Sequence, residues 1–224
     1  MCWNAPVSLG TFLSSIIMCG FLWYRNSSIG TTPYDRPLAL WIAWFSLMQL
    51  FEFFMWRDMN NHTITAKLAL VTTVLQPFVL AAALYYYYYL NKRATADSAW
   101  RKPLLLLVMF ISLVQFGSAS FYAIKEKAHK WLSEKGPNCH LVWWYKKHEK
   151  SLPTLARADT IFFITCIGSI LLIKPFKIAL IYTFIGLISI IITKLYYPTE
   201  TSSLWCWIVN IAAIITIIMP YLKF

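Results

Sequence analysis

Long apolar runs, broken by short clusters of charged and turn-forming residues, make up most of the chain. An α-helix rises about 1.5 Å per residue, so a hydrocarbon layer about 30 Å thick calls for roughly 20 apolar residues. Seven runs reach that length, at about 5–24, 37–56, 68–90, 103–123, 155–173, 178–197 and 204–222. The pattern predicts an all-α integral membrane protein, seven transmembrane helices in a single bundle that forms one domain over residues 1–224. Pro37 and Pro103 stand at helix starts, where a missing N–H costs nothing. Lys174-Pro175-Phe176-Lys177 reads as a tight turn, because merging the fifth and sixth runs would place a proline and two lysines at mid-membrane.

Between the fourth and fifth runs lies the one long connection, residues 124–154, which carries the densest charge. Its middle, Leu141-Val142-Trp143-Trp144-Tyr145, is apolar and aromatic and suits a segment that lies in the headgroup zone or dips between helices.

Composition agrees with the pattern: 59% of the 224 residues are hydrophobic and only 13% charged, with a mean hydropathy of +0.57. A net charge of +11 raises nucleic acid as a partner, but the lysines and arginines sit at helix ends and in loops instead of along one stripe. They fit contact with anionic headgroups, so the lipid bilayer is the expected partner and nucleic acid is not. Seven crossings put the N-terminus and the even loops on one face. The odd loops and the C-terminus then share the other face, which holds Arg25, Arg36, Lys92, Arg93, Arg101, Lys102, Lys174, Lys177 and Lys223. Setting the long connection aside, this bias favours an extracytoplasmic or luminal N-terminus and a cytoplasmic C-terminus. The N-terminal segment lacks the basic start and small-residue cleavage site of a signal peptide. Two sequons, Asn26-Ser27-Ser28 and Asn61-His62-Thr63, fall in consecutive loops, so at most one faces a glycosylating compartment.

Polar side chains inside the runs are the candidate chemistry, since each is costly in hydrocarbon. Phe45, Gln49, Glu52 and Trp56 recur at helical spacing on one face of the second run. Gln76, Gln115, Asp159 and Asn210 add one polar residue each to the third, fourth, fifth and seventh. Counted from the N-terminal face at about 1.5 Å per residue, Glu52, Asp159, Gln49, Gln76, Gln115 and Asn210 lie between roughly 6 and 14 Å deep. The histidines His62, His129, His140 and His148 are in even loops on that same side. The expectation is one polar pocket near the N-terminal face, in which Glu52, Gln49, Trp56, Gln76, His140, Asp159 and Asn210 bind a small ligand, a lipid headgroup or a proton. Glu52, among Phe51, Phe53, Phe54 and Met55, has no cation beside it in sequence, and such a carboxylate either keeps a proton or recruits a cation. The competing reading for Gln115 and Asn210 is hydrogen-bonded glue between helices, and for Asp159 a pairing with Arg157 and the helix dipole.

Cys19, Cys166 and Cys206 fall in apolar runs as small core residues. Cys2 and Cys139 fall on one face, which leaves open either a disulfide between them or two reduced thiols. Glu52, Cys139, His140 and Cys2 are acceptable zinc ligands but have no recognised spacing, so neither a metal nor a cofactor is expected. No nucleotide loop, nucleophile motif or retinal-binding lysine in the last run is present, and no selectivity-filter loop stands out. Three function classes stay open: receptor-like or transport-like binding, a membrane-embedded and possibly metal-dependent hydrolase using Glu52 and His140, and a structural membrane or virion component.

Met1-Cys2-Trp3 with Val7-Ser8-Leu9, followed by Gln49-Leu50-Phe51-Glu52-Phe53-Phe54-Met55-Trp56, resembles an uncharacterised family of multi-pass membrane proteins from bacteria, algae and large DNA viruses. Its members begin Met-Cys-Trp or Met-Cys-Phe and carry Gln-x-x-Glu-x-x-x-Trp in the second span. A later His-containing polar segment corresponds loosely to Asn138-Cys139-His140. Asn4 departs from the serine found in many relatives. The resemblance implies no activity, but it groups Cys2, Gln49, Glu52, Trp56 and His140 as a unit.

Overall fold

The computed structural model of the chain describes residues 4–29, 34–90, 100–125, 132–137, 140–143, 159–197, 210–211 and 213–221, with the backbone alone at 26–29, 122, 159 and 160. The described residues are mostly helical: α1 (Ala5–Ile29), α2 (Asp35–Arg57), α3 (Thr63–Val74), α4 (Gln76–Tyr85), α5 (Arg101–Lys125), α6 (Asp159–Leu171) and α7 (Phe176–Tyr196). Residues 210–211 and 213–218 are helical as well, and the latter run into a 3-10 turn at Met219–Tyr221. Among the described residues four helices are long and apolar enough to cross a membrane: Ala5–Arg25 within α1, and α2, α5 and α7. A fifth crossing is made if α3 and the helix that follows it, through Leu90, count as one bent span.

That third span was expected to be continuous. It is broken at Leu75 by a 43° bend between Thr63–Val74 and Gln76–Leu90. Pro77 is the physical reason: it has no N–H to give the carbonyl of Thr73, and its ring crowds that carbonyl. The Thr72 carbonyl, next to the break, accepts the indole N–H of Trp44 at 2.9 Å. The Thr73 hydroxyl reaches the Met48 sulfur at 3.3 Å, so the bend is pinned to α2. Beyond Tyr85 the helix widens into a π turn over Tyr86–Leu90.

The core is apolar and close-packed around α2. Leu22 of α1, Leu38, Ile42, Met48 and Met55 of α2, Leu80 and Leu84 of α4 and Leu105 of α5 have no exposed surface. The outward faces are equally apolar. Leu107, Phe110 and Phe121 of α5 and Phe184, Ile191 and Leu195 of α7 are all at least half exposed, which suits lipid as the surrounding solvent. Several hydroxyls in these helices bond back to their own helix: Thr11 donates to the Val7 carbonyl, Ser112 to Val108, Ser189 to Ile185 and Thr193 to Ser189, at 2.6 to 2.8 Å.

The long connection corrects the all-α expectation. It holds a small antiparallel hairpin, β1 (Glu134–Lys135) and β2 (Leu141–Val142), with Glu134 opposite Val142 and Lys135 opposite Leu141. The Gly136 N–H closes it on the His140 carbonyl at 2.7 Å. A helix pattern was never strong here, because Gly136 and Pro137 interrupt it. The turn expected at Lys174–Lys177 is present: α6 ends at Leu171 and α7 begins at Phe176.

Candidate functional site

The predicted stripe on α2 is real. Gln49 is 1% exposed, Glu52 is fully buried, Phe45 is buried and Trp56 is partly buried, all facing into the bundle. Helical spacing of 3 and 4 residues puts these side chains one above another, and the apolar flanks Met48 and Met55 shut water out.

Glu52 is closed off by the hairpin. The Trp143 indole N–H donates to Glu52 Oε1 at 3.0 Å, and Trp143 is itself 1% exposed. Leu141 is fully buried beside it, so the apolar centre of the connection dips into the bundle in place of lying on the headgroups. The other leg of the hairpin is fixed by His62, in the turn after α2. Its Nε2 accepts the Ser133 backbone N–H at 2.7 Å, while Nδ1 lies 2.9 Å from the Asp58 carbonyl. These two contacts define a neutral ring with the proton on Nδ1. Ser133 also sits with its hydroxyl 3.7 Å from the Met55 sulfur. The hairpin thus covers Glu52 as a lid, and its attachments include one to a carboxylate and one to an imidazole.

The other predicted polar residues of α2 to α5 are buried as well. Both amide atoms of Gln49, both of Gln115, Gln76 Oε1 and Trp56 Nε1 are buried with no hydrogen-bond partner among the described residues. Gln76 stands directly at the helix break, as the first residue of α4. His140 is 6% exposed, and its ring packs edge-on to Tyr197 at 5.9 Å, tying the hairpin to the end of α7. Asp159 opens α6, and its side chain lies outside the described residues. Cys2 and Cys139 also lie outside them, as does Cys206, while Cys19 and Cys166 are buried and free. Among the described residues no three His, Cys, Asp or Glu side chains are grouped as metal ligands.

Asn210 is engaged on α1. Its Oδ1 accepts the hydroxyls of Ser14 at 3.0 Å and Ser15 at 2.9 Å, the helix-to-helix glue weighed as the alternative for this residue.

Two features escaped the sequence reading. Trp143 was read as part of a segment lying in the headgroup zone or dipping between helices, and only its pairing with Glu52 was missed; the signal available was an apolar aromatic core inside an otherwise charged connection. Arg25, read only as a basic flank, makes a buried bidentate pair with Asp35: Nε to Oδ2 at 2.8 Å and Nη2 to Oδ1 at 2.7 Å. Its remaining donors cap the last helix through the carbonyls of Ile217 at 2.7 Å and Thr216 at 2.9 Å. Tyr34 lies beside the pair, and burial first, then the Asp35 carboxylate, pushes its hydroxyl above the ordinary tyrosine range.

No family model, curated protein or solved structure matches this chain.

Proposed function

We propose that the chain is a seven-span membrane protein that binds a proton or a small cationic ligand at Glu52, from the face carrying the N-terminus, in a receptor-like or transport-like way. One observation carries the reading: a carboxylate with no exposed surface, held at one oxygen by the Trp143 indole under the hairpin, one helical turn from the buried Gln49 amide, whose two polar atoms lack partners among the described residues. Buried polar groups are ordinarily hydrogen-bonded, and leaving several unmatched costs stability without any structural return. A site meant to receive a ligand has that character. The broken helix at Gln76 and Pro77 adds to the case, because interrupted spans expose helix ends to a binding site in membrane transporters. The closed lid favours a small occupant over a bulky lipid headgroup.

Contacts between elements support seven crossings. Asn210 meets Ser14 and Ser15, while residues 216 and 217 meet Arg25, so the last helix runs parallel to α1, as an odd number of crossings demands. The Tyr88 hydroxyl accepts the Lys174 N–H at 2.8 Å on the odd-loop side, and His140 meets Tyr197 on the even-loop side. The cationic odd-loop side is the cytoplasmic one in this reading.

The test is reconstitution in liposomes carrying a pH-sensitive dye inside, with proton or monovalent-cation gradients applied. Wild-type protein is expected to dissipate a gradient that Glu52→Gln protein, monodisperse and equally incorporated, does not. Equal flux in both, or no flux in either with Glu52→Gln more stable, would transfer the polar layer to the structural reading. Turnover of a lipid ester that vanishes in both Glu52→Gln and His140→Ala would instead favour the hydrolase.

A further inference from the structure

A second site lies away from Glu52 and does not rest on its assignment. A groove of about 640 Å³ runs along α1 and the last helix, lined by Val7, Gly10, Ser14, Ile17, Asn210 and Ile214 among others. That volume is within the range of about 300 to 1,000 Å³ usual for small-molecule sites. Gly10 is exposed along it, and a Cβ there would stand in open space, with nothing within 4 Å. Ser14 and Ile17, one turn and two turns further on, are exposed on the same side of α1.

The groove's walls are apolar but Asn210 is not, and Asn210 is more than nine-tenths buried. Its carbonyl oxygen accepts the Ser15 hydroxyl at 2.9 Å and lies 3.0 Å from the Ser14 hydroxyl, which is shared with the Thr11 carbonyl at 2.9 Å, and this contact orients the amide. The Nδ2 donor is left buried with no acceptor among the described residues. What is missing is therefore an acceptor, not a donor. Depth narrows it further. Ser14 stands nine residues from Ala5 and eleven from Arg25, the ends of the span, or about 14 and 16 Å at 1.5 Å per residue. The donor is thus near the bilayer midplane, out of reach of the phospholipid ester groups at the rim, and a charged acceptor there would be costly.

We propose that this groove binds a neutral, lipid-dissolved molecule whose carbonyl oxygen sits at mid-bilayer depth and accepts from Asn210 Nδ2, with its apolar body along Val7, Ile17 and Ile214. Two sources supply that chemistry: a free quinone or ketone, or a phospholipid whose acyl chain carries a mid-chain ketone.

The experiment follows the carbonyl infrared band of two ¹³C-labelled probes added to the full-length protein in nanodiscs. One probe is a decyl-substituted benzoquinone and the other a phosphatidylcholine with a 12-oxo-octadecanoyl chain. A red-shifted band that saturates at one probe per protein, absent from empty nanodiscs, is the expected result, and whichever probe gives it names the source. Asn210→Leu removes the donor and is expected to weaken binding about tenfold, the ordinary worth of one hydrogen bond. Gly10→Leu fills the groove and leaves the serine-asparagine contacts untouched, so it decides the matter if Asn210→Leu fails to fold; it too is expected to lose the band. No shifted band with either probe overturns the proposal, as does a shifted band that both variants retain at wild-type affinity.

Discussion

Replacing Trp143 by Phe removes the indole N–H that reaches Glu52 Oε1 at 3.0 Å and leaves most of the ring in a position 1% exposed to solvent. The loss is one hydrogen bond to an ionisable group, worth about 1.5 to 3 kcal/mol. Because Trp143 follows β2 directly, that loss falls on the attachment of the lid more than on the helices. At about 2 kcal/mol, the lid opens roughly 30-fold more often, since each 1.4 kcal/mol is a factor of ten. Hydrogen exchange reads this at the Gly136 amide, which closes the hairpin on His140. Exchange there is expected to accelerate about 30-fold in Trp143→Phe, with α2 and α5 amides unchanged. The cycle is completed with Glu52→Leu, which removes the acceptor. In that background Trp143→Phe is expected to cost much less, giving a coupling of about 2 kcal/mol. A coupling within about 0.5 kcal/mol of zero would refute the reasoning: the indole would be held by packing alone, and the lid would have no chemical link to the carboxylate.

Three further outcomes are expected. Asp35→Ala strands Arg25 in a buried position and is expected to cost about 3 to 5 kcal/mol in unfolding free energy, whereas the double replacement Arg25→Met with Asp35→Leu recovers much of it, which a thermal or denaturant titration of all three variants measures. Gln49→Leu deletes two buried amide atoms that lack partners among the described residues, so it is expected to be neutral or to stabilise by about 1 to 3 kcal/mol while abolishing the Glu52-dependent flux; a loss of stability would mark Gln49 as glue. Pro77→Ala restores the N–H owed to the Thr73 carbonyl and is expected to reduce the 43° bend, seen as a longer distance between spin labels at Ile64 and Tyr86; an unchanged distance would assign the bend to the α2 contacts of Thr72 and Thr73.

The elements were legible because lipid imposes a length and an apolar composition on anything that crosses it. Residues 37–56 and 103–123 were marked from hydropathy alone; α2 extends the first by two residues at its start and one at its end, and α5 extends the second by two at each end, since Asp35 and Arg57, and Arg101 and Lys125, still fit helical backbone at the membrane edge. The burial of Gln49 and Glu52 was likewise legible, because helical periodicity places them with Phe45 on one face. The bend at Leu75 was half visible: Pro77 is plain in the sequence, but whether a proline kinks or ends a helix depends on what receives the freed carbonyls.

By itself, then, the sequence determined that the chain is built of apolar helices sized for a bilayer, that charge collects at their ends and in the connections, and that Gln49 and Glu52 share one face of the second run with Phe45. These are local properties, set by composition and by the repeat of a single helix. Tertiary structure alone decided the partners. Trp143 reaches Glu52 across 91 positions of chain, Ser15 reaches Asn210 across 195, and Arg25 pairs with Asp35 while capping a helix 192 residues away. Hydropathy is blind to such pairings, because a buried carboxylate or amide is defined by which element packs over it, and that choice is made only when the helices assemble.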